Sequence, residues 1–396
     1  MNSITKLPAM QVFNDITVVP CKPAGSKGNK SFGPIWPNWN NQVIARHCRS
    51  NIPIDKCPEM PSGDCVPVHE PLIWGGVLHR HFGHFVAEIA PRILQSRRDC
   101  PSGKFLYAVD SRIMRSKSWE GVPGHFKPIT EWFGLQQENV LFCRSVIKAK
   151  HLEVAVQAEQ LGRKVPCAEY LDLLDENRIR NKLVPQQNKY VFVSRARMPA
   201  RLGGNAAPDY FDTKLKELGV KIFYPEKHSL VDQLAIYSGA EKLIFAQGSA
   251  VHGLQLLGRG LMSVSILNRS PETGMAKFNL TPRCENLNYI DASRNYFNLD
   301  GRNGIPIPRD GKAIFETDVL FEEFKKLGLN LSTVWNQKEY LAAVEENLKL
   351  WLSDSLRELA RRGYRGKQTR AIEELYRSGF EDASNFGKDL IKQYCD

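Results

Sequence analysis

No apolar run in this chain is long enough to span a bilayer. The most apolar window, 243–257, is interrupted by Gln247, Gly248, Ser249, His252, Gly253 and Gln255, which leaves it both too short and too polar. Residues 1–19 carry polar side chains throughout, so neither a secretory leader nor a membrane anchor is expected. Cys-x-x-Cys spacing is missing as well. The nine cysteines are scattered except for Cys57 and Cys65, and they read as free thiols of a reducing cytosol. A zinc set of Cys57, Cys65 and His69 fits no common module. There is no Asp-x-Asp pair, the usual carboxylate device for holding a metal on a nucleotide diphosphate. There is no GxxxxGK[ST] loop, which counts against an ATP-type phosphotransferase.

What the chain does have is length and positive charge. At 396 residues it exceeds what one core usually fills, so two domains are the default. Its 42% hydrophobic and 24% charged content is that of a globular protein. A net charge of +11 and a pI near 9.1 favour anionic partners: nucleic acid, a phospholipid surface, or a nucleotide- or lipid-phosphate-linked substrate. The basic residues fall in short clusters, such as Arg97-Arg98, with no arginine-rich tail or nucleic-acid motif, so nucleic acid ranks last.

The densest chemistry lies between His79 and Arg92, where three histidines, a glutamate and an arginine fall within fourteen residues. Phe82, Phe85, Val86, Ile89 and Ile93 recur at three- and four-residue steps, the mark of one buried helix face. His84 and Glu88 are four apart and share a side of that helix. An imidazole beside a carboxylate on a half-buried helix suits general acid/base work, although such pairs are more often solvated surface pairs. Pro91 then bends or ends the helix.

Residues 1–70, rich in Pro, Gly and Asn, are expected to be loops over the first domain, with short strands at 16–20 and 43–45. Strands at 71–78, 104–109 and 139–142 follow, then an amphipathic helix at 170–182 with Leu171, Leu174 and Ile179 on one side, and a linker at 185–188. The second half alternates cleanly: strand 189–194, helix 209–218, strand 220–224, helix 229–238 capped by Ser229, strand 242–246, a helix through 257, and strand 261–267. This is a doubly wound nucleotide-binding sheet, whose ligands sit beyond the carboxyl ends of its strands. From about 310 the pattern is helical, at 318–327, 337–359 and 369–394, with no indication of where these helices pack.

Two strand ends suit phosphate. At Gln247-Gly248-Ser249 small residues admit a ligand to the backbone at a helix start, with His252 one turn inward. At Ser194-Arg195 a guanidinium fork follows the neighbouring strand. Each signal is weak alone: the first is equally a tight strand-to-helix turn, the second a solvated arginine.

Together these segments resemble the glycosyltransferase family 61 enzymes, also described as capsular polysaccharide biosynthesis proteins. His84-Phe-Val-Ala-Glu-Ile-Ala-Pro-Arg92 is similar to that family's H-W-x-x-[DE]-x-x-P-R helix, and Tyr190-Val-Phe-Val-Ser-Arg195 to its strand ending in Ser-Arg. Asp232-Gln233 followed by Phe245-Ala-Gln-Gly-Ser-Ala is similar to its acidic-Gln helix and H-G-A turn. Gln247 replaces the usual histidine, Ser249 the alanine, and His252-Gly253 a Thr-Asn pair. The resemblance implies an α/β, GT-B-like architecture: two Rossmann-like domains facing a cleft, at 1–185 on the acceptor side and 186–309 for the nucleotide sugar, with a helical extension at 310–396. It implies inverting transfer to a glycan or glycolipid hydroxyl, in the cytoplasm or peripherally at the inner membrane face. Glu88 or His84 would be the base, with a slight preference for Glu88. Ser194, Arg195, Gly248, Ser249 and His252 would hold the donor, and Arg92, His81, Asp232 and Gln233 would support. No cofactor or metal is required where helix dipole and Arg195 balance the leaving charge. The rival readings are a sulfo- or phosphotransferase on the same anion site and a non-catalytic nucleotide- or glycan-binding protein.

Overall fold

The computed structural model describes residues 5–21, 32–78, 80–109, 119–270, 273–301, 304–307, 310–363 and 368–395. Its first half is built on a seven-stranded mixed sheet. Strands Leu72–Val77, Lys104–Ala108 and Val140–Cys143 lie side by side and parallel. Ile147–Val154 runs parallel to the first of these and pairs antiparallel with Gln11–Val19. The early segment is therefore not only loop: Phe13, Ile16 and Val18 of a strand longer than 16–20 all join the core of the sheet. Residues 43–45 form a turn, and the local strands are the short hairpin of Cys48–Arg49 and Ile52–Pro53.

The second half holds a five-stranded, wholly parallel sheet. Its order is Lys221–Phe223, Asn188–Val193, Ala240–Ala246, Leu261–Leu267, Cys284–Ile290. Buried Val191, Val193, Leu243, Phe245, Val264 and Ile266 supply one face, as continuous apolar strands covered on both sides should. The helix at Leu230–Gly239 starts where expected, with Ser229 accepting from the Asp232 amide at 3.1 Å. At Ala168–Arg180, however, the buried side is Tyr170, Leu171, Leu173, Leu174 and Asn177, and Ile179 is 72% exposed. Eight residues past Leu171, Ile179 has drifted about 80° round the helix.

The chain after 310 is not helical at once. Lys312–Phe315 pairs with Gly204–Asn205 and with Ser293–Phe297 in a small third sheet. The helices that follow pack on the second sheet: Phe192, Phe211, Ile244 and Leu267 share a core with Phe315, Phe324, Tyr340, Leu348, Trp351 and Leu352. The last stretch is two helices, Thr369–Arg377 and Glu381–Cys395, separated at Gly379, whose φ of 86° favours glycine.

Candidate active site

The parallel sheet has a switch point. From Asn188–Val193 the chain moves to one side to form Lys221–Phe223, then returns to the other side for Ala240–Ala246. Ligands of such sheets bind in the crevice at the carboxyl ends of the two strands flanking that point, here Ser194-Arg195 and Gln247-Gly248-Ser249. Gly248 is extended, and a Cβ there would lie 2.3 Å from Arg195 Nη1, so the guanidinium rests on the bare backbone of the turn. Arg195 Nη2 donates to Leu202 O at 3.3 Å, while its buried Nε has no partner among the described residues. Burial, reinforced by neighbouring Arg269, pushes Arg195 down to about 10. Gln247 is itself engaged: its Oε1 accepts from the Arg269 amide and its carbonyl from Arg269 Nε, each at 2.9 Å. Lys312 adds a third cation, held down at about 8 by burial and by Arg195 and Arg269.

Ser194 is buried beside Arg195 and lines a smaller pocket next to the cavity mouth. Its Oγ donates to Asp212 Oδ2 at 2.7 Å and accepts from the Ala196 amide at 3.0 Å, which turns the chain after the strand. The segment Ser249–Leu256 is a 3-10 helix on which His252 is buried. His252 Nδ1 meets Gln255 Oε1 at 2.6 Å, and burial lowers the imidazole to about 4. Gln255 Nε2 donates to Glu159, whose other oxygen accepts from Arg283. Because Gln255 uses its amide nitrogen on Glu159, its oxygen accepts, so His252 carries its proton on Nδ1.

Facing this turn is the His–Glu segment. Phe82–His84 is a helical turn, Phe85–Ile89 a π-turn, Ala90–Arg92 a 3-10 turn around Pro91, and Ile93–Asp99 is α-helical; the expected single regular helix is bulged, a form frequent at functional sites. The π-turn nonetheless brings His84 Nδ1 to 2.8 Å from Glu88 Oε2. Glu88 is fully buried. Arg49 grips both of its oxygens, through Nε and, at 3.2 Å, through Nη2, and His47 Nε2 stands 3.5 Å from Oε1. Burial alone would raise the carboxyl, but the nearby His47 and hydrogen bonds from His84 and Arg49 outweigh it and hold Glu88 well below the usual carboxylate range. An ionised Glu88 only accepts, so His84 donates to it from Nδ1, and Arg49 Nη2, 3.2 Å from that nitrogen, serves Glu88 Oε2 instead; in the neutral ring the proton-free nitrogen is then Nε2.

The two segments meet. Phe85, Val86 and Ile89 share one core with Val251, Leu254 and Leu256, and a Cβ on Gly83 would lie 2.6 Å from His252 Cδ2. Beside this contact opens a cavity of about 500 Å³, walled by His81, Phe82, Arg195, Ser249, Arg269 and Arg362, among others.

Of the other expected site residues, His81 lines the cavity with its ring edge-on to His84, and His79 lies outside the described residues. Arg92 is corrected to a structural role: it is buried and donates to the carbonyls of Ala45, Arg46 and Ala155, pinning the early loops to the helix. Asp232 and Gln233 likewise shape a helix start, Asp232 accepting from Ser229 Oγ and Gln233 donating to Pro225 O and His228 O. Cys57 and Cys65 are free thiols, and among the described residues no group of three His, Cys, Asp or Glu side chains is placed to hold a metal ion. Sequence reasoning missed His47, Arg49, Arg269 and Lys312. The first two reach Glu88 from a loop some forty residues upstream, and no local pattern marks them.

Residues 82–261 match the family model described as Glycosyltransferase 61. Over this segment, somewhat under half of the chain, the match supports the resemblance to the glycosyltransferase 61 family read from the sequence. The matched span carries Phe82, Arg195 and Ser249, which wall the cavity, and the neighbouring His84, Glu88 and Gly248, whereas Arg49, Arg269 and Lys312 lie outside it. In coarse class, the match indicates a glycosyltransferase. No curated protein matches the chain. Among the described residues no helix is long and apolar enough to cross a membrane.

Proposed function

We propose that the protein is an inverting, GT-B-like glycosyltransferase in which the first half presents the acceptor hydroxyl and the second half holds a nucleotide sugar. The reading rests on one observation: His81 and Phe82, at the start of the turn that carries His84, and Arg195 and Ser249 of the second half wall the same cavity. Nε2 of His84 takes the proton as the acceptor oxygen attacks the anomeric carbon from the face opposite the leaving group. The bond from that carbon to the diphosphate oxygen breaks, and the configuration inverts. Glu88 orients the imidazole and stabilises the imidazolium, so His84 replaces Glu88 as the preferred base, since a buried carboxylate held by Arg49 binds a proton poorly. Arg195, Arg269 and the Gly248–Ser249 backbone meet the charge that grows on the departing diphosphate; with these cations in place the proposal requires no metal or other cofactor. The acceptor is a glycan or a lipid-linked glycan of surface polysaccharide synthesis, met in the cytoplasm or peripherally at the membrane face, where the net charge of +11 favours a phosphate-bearing carrier.

A specific observation keeps a second reading, non-catalytic nucleotide or glycan binding: Gln247, where the family has histidine, is tied to Arg269. A thermal-shift screen with UDP, GDP, CMP and ADP sugars, followed by transfer assays with the sugars that stabilise the protein, separates the two. Turnover supports transfer, and binding without transfer or hydrolysis across a broad acceptor panel supports the second reading.

A further inference from the structure

Between the strand Ile147–Val154 and the helix Ala168–Arg180 the chain forms no regular element, yet Gln157, Glu159 and Gln160 of this stretch are 2%, 0% and 4% exposed. Buried polar side chains need partners, and each of these reaches a different part of the molecule. Gln160 Oε1 accepts from the Asn51 amide at 2.7 Å. Glu159 accepts from Arg283 and Gln255, which anchors the stretch in the second half. Gln157 lies between them, its own carbonyl accepting from Lys164 Nζ.

The side chain of Gln157 joins two main chains. Its Oε1 accepts from the Cys48 amide at 2.6 Å, and its Nε2 donates to the Glu88 carbonyl at 2.7 Å. Cys48 precedes Arg49, whose guanidinium grips the Glu88 carboxylate. One carboxamide therefore holds the backbone at both ends of the Arg49–Glu88 pair, and only a group that donates and accepts at once can do so. The Glu88 carbonyl has use for a donor from outside its own turn. It stands where the π-turn gives way to the 3-10 turn, and Pro91, three residues on, has no N–H to offer. Arg92 ties the same stretches together a turn later, through the carbonyls of Ala45, Arg46 and Ala155.

Resting on the assignment of His84 as base, we propose that Gln157 is a positioning residue for the transfer. Its carboxamide sets the separation between the strand that carries Arg49 and the turn that carries Glu88, and through that pair it fixes the imidazole of His84. Gln157 does not wall the cavity, so it acts on the reaction through Glu88 and His84 and not by touching a substrate. Displacing a reacting group by about 1 Å costs about a hundredfold in rate, and a loosened Glu88 turn moves His84 on that scale while leaving the Arg195–Gly248 turn where it is.

The test compares the full chain with Gln157→Met, which keeps the side chain's length and loses both hydrogen bonds. Three quantities are read: single-turnover transfer from whichever nucleotide sugar stabilises the protein, affinity for that donor, and the Nδ1 proton of His84 in nitrogen-15 histidine-labelled protein, assigned by its loss in His84→Ala. In Gln157→Met the rate is expected to fall about ten- to a hundredfold at unchanged donor affinity, and the His84 proton to move upfield and exchange faster with water. If Gln157→Met does not fold, Gln157→Asn, one methylene too short to reach both chains, carries the test with the same expectations. An unchanged rate with an unchanged His84 proton overturns the proposal. A rate that falls only in step with donor affinity and denaturation midpoint, the proton staying in place, overturns it too, because that is what a purely structural glutamine gives. If the wild type transfers no sugar, the reading of His84 as base fails separately, and the His84 proton alone decides whether Gln157 positions the imidazole.

Discussion

At the scale of single residues, Glu88 and His84 divide a task that their spacing alone leaves open. Glu88 is fully buried, bound by Arg49 and His84 with His47 close by, and in the proposed mechanism it holds His84 rather than taking a proton. Arg49→Met tests this. Losing a charged partner of a buried carboxylate costs about 1–3 kcal/mol of stability, and transfer should fall with it. The sign with pH follows from the lowered Glu88 value. Its stabilisation is complete above the unfolded carboxyl value and is lost as pH falls through the lower folded value, so the deficit of Arg49→Met in denaturant titrations should be largest near neutrality and shrink in acid. His252 gives a second pH signature. Its folded value of about 4 lies below the ordinary imidazole value, so its contribution is complete above about pH 6.5 and fades as pH falls toward 4. Midway through that window the slope approaches about 1.4 kcal/mol per pH unit. Asp212, raised to about 6 by burial, acts oppositely over part of the same range, so the readout is the difference in stability between wild type and His252→Asn as a function of pH, which should lose this slope.

At the scale of elements, two glycines make opposite predictions. Gly83→Ala drives a methyl into the ring of buried His252 at the contact between the two halves. Overpacking of this kind costs about 1–3 kcal/mol, to be seen as a lower denaturation midpoint. Gly248→Ala meets only the flexible end of Arg195, at an extended backbone that accepts any residue. Its cost should appear as weaker nucleotide binding with a nearly unchanged denaturation midpoint. The alternation of strand and helix from 188 to 267 was legible because each parallel strand is a short apolar run ended by a turn residue, and Leu261–Leu267 lies where the apolar pattern puts it. What stayed hidden was non-local. Lys312–Phe315 reads as the start of a helical region and is a strand only because Gly204–Asn205 and Ser293–Phe297 offer it hydrogen bonds. Likewise the partners of Glu88 come from a loop whose own sequence has no periodicity.

At the scale of the whole molecule, the C-terminal helices are part of the second half's core rather than an appendage. Trp351 and Leu352 share an apolar cluster with Phe192 and Ile244 of the parallel sheet, and Trp351 also lines the large cavity. Removing residues 337–396 should therefore abolish cooperative unfolding of the second half and nucleotide binding together; a truncated chain that binds nucleotide normally would contradict that packing role. The central claim is that His84, oriented by Glu88, activates an acceptor against a donor held by Arg195. It is tested most directly by single-turnover sugar transfer, from whichever nucleotide sugar stabilises the protein, in wild type, His84→Ala, Glu88→Gln and Arg195→Ala. The account predicts a loss of about a hundred- to ten-thousandfold in His84→Ala, a smaller loss in Glu88→Gln, and weakened donor binding in Arg195→Ala. Wild-type turnover in both His84→Ala and Glu88→Gln would contradict it.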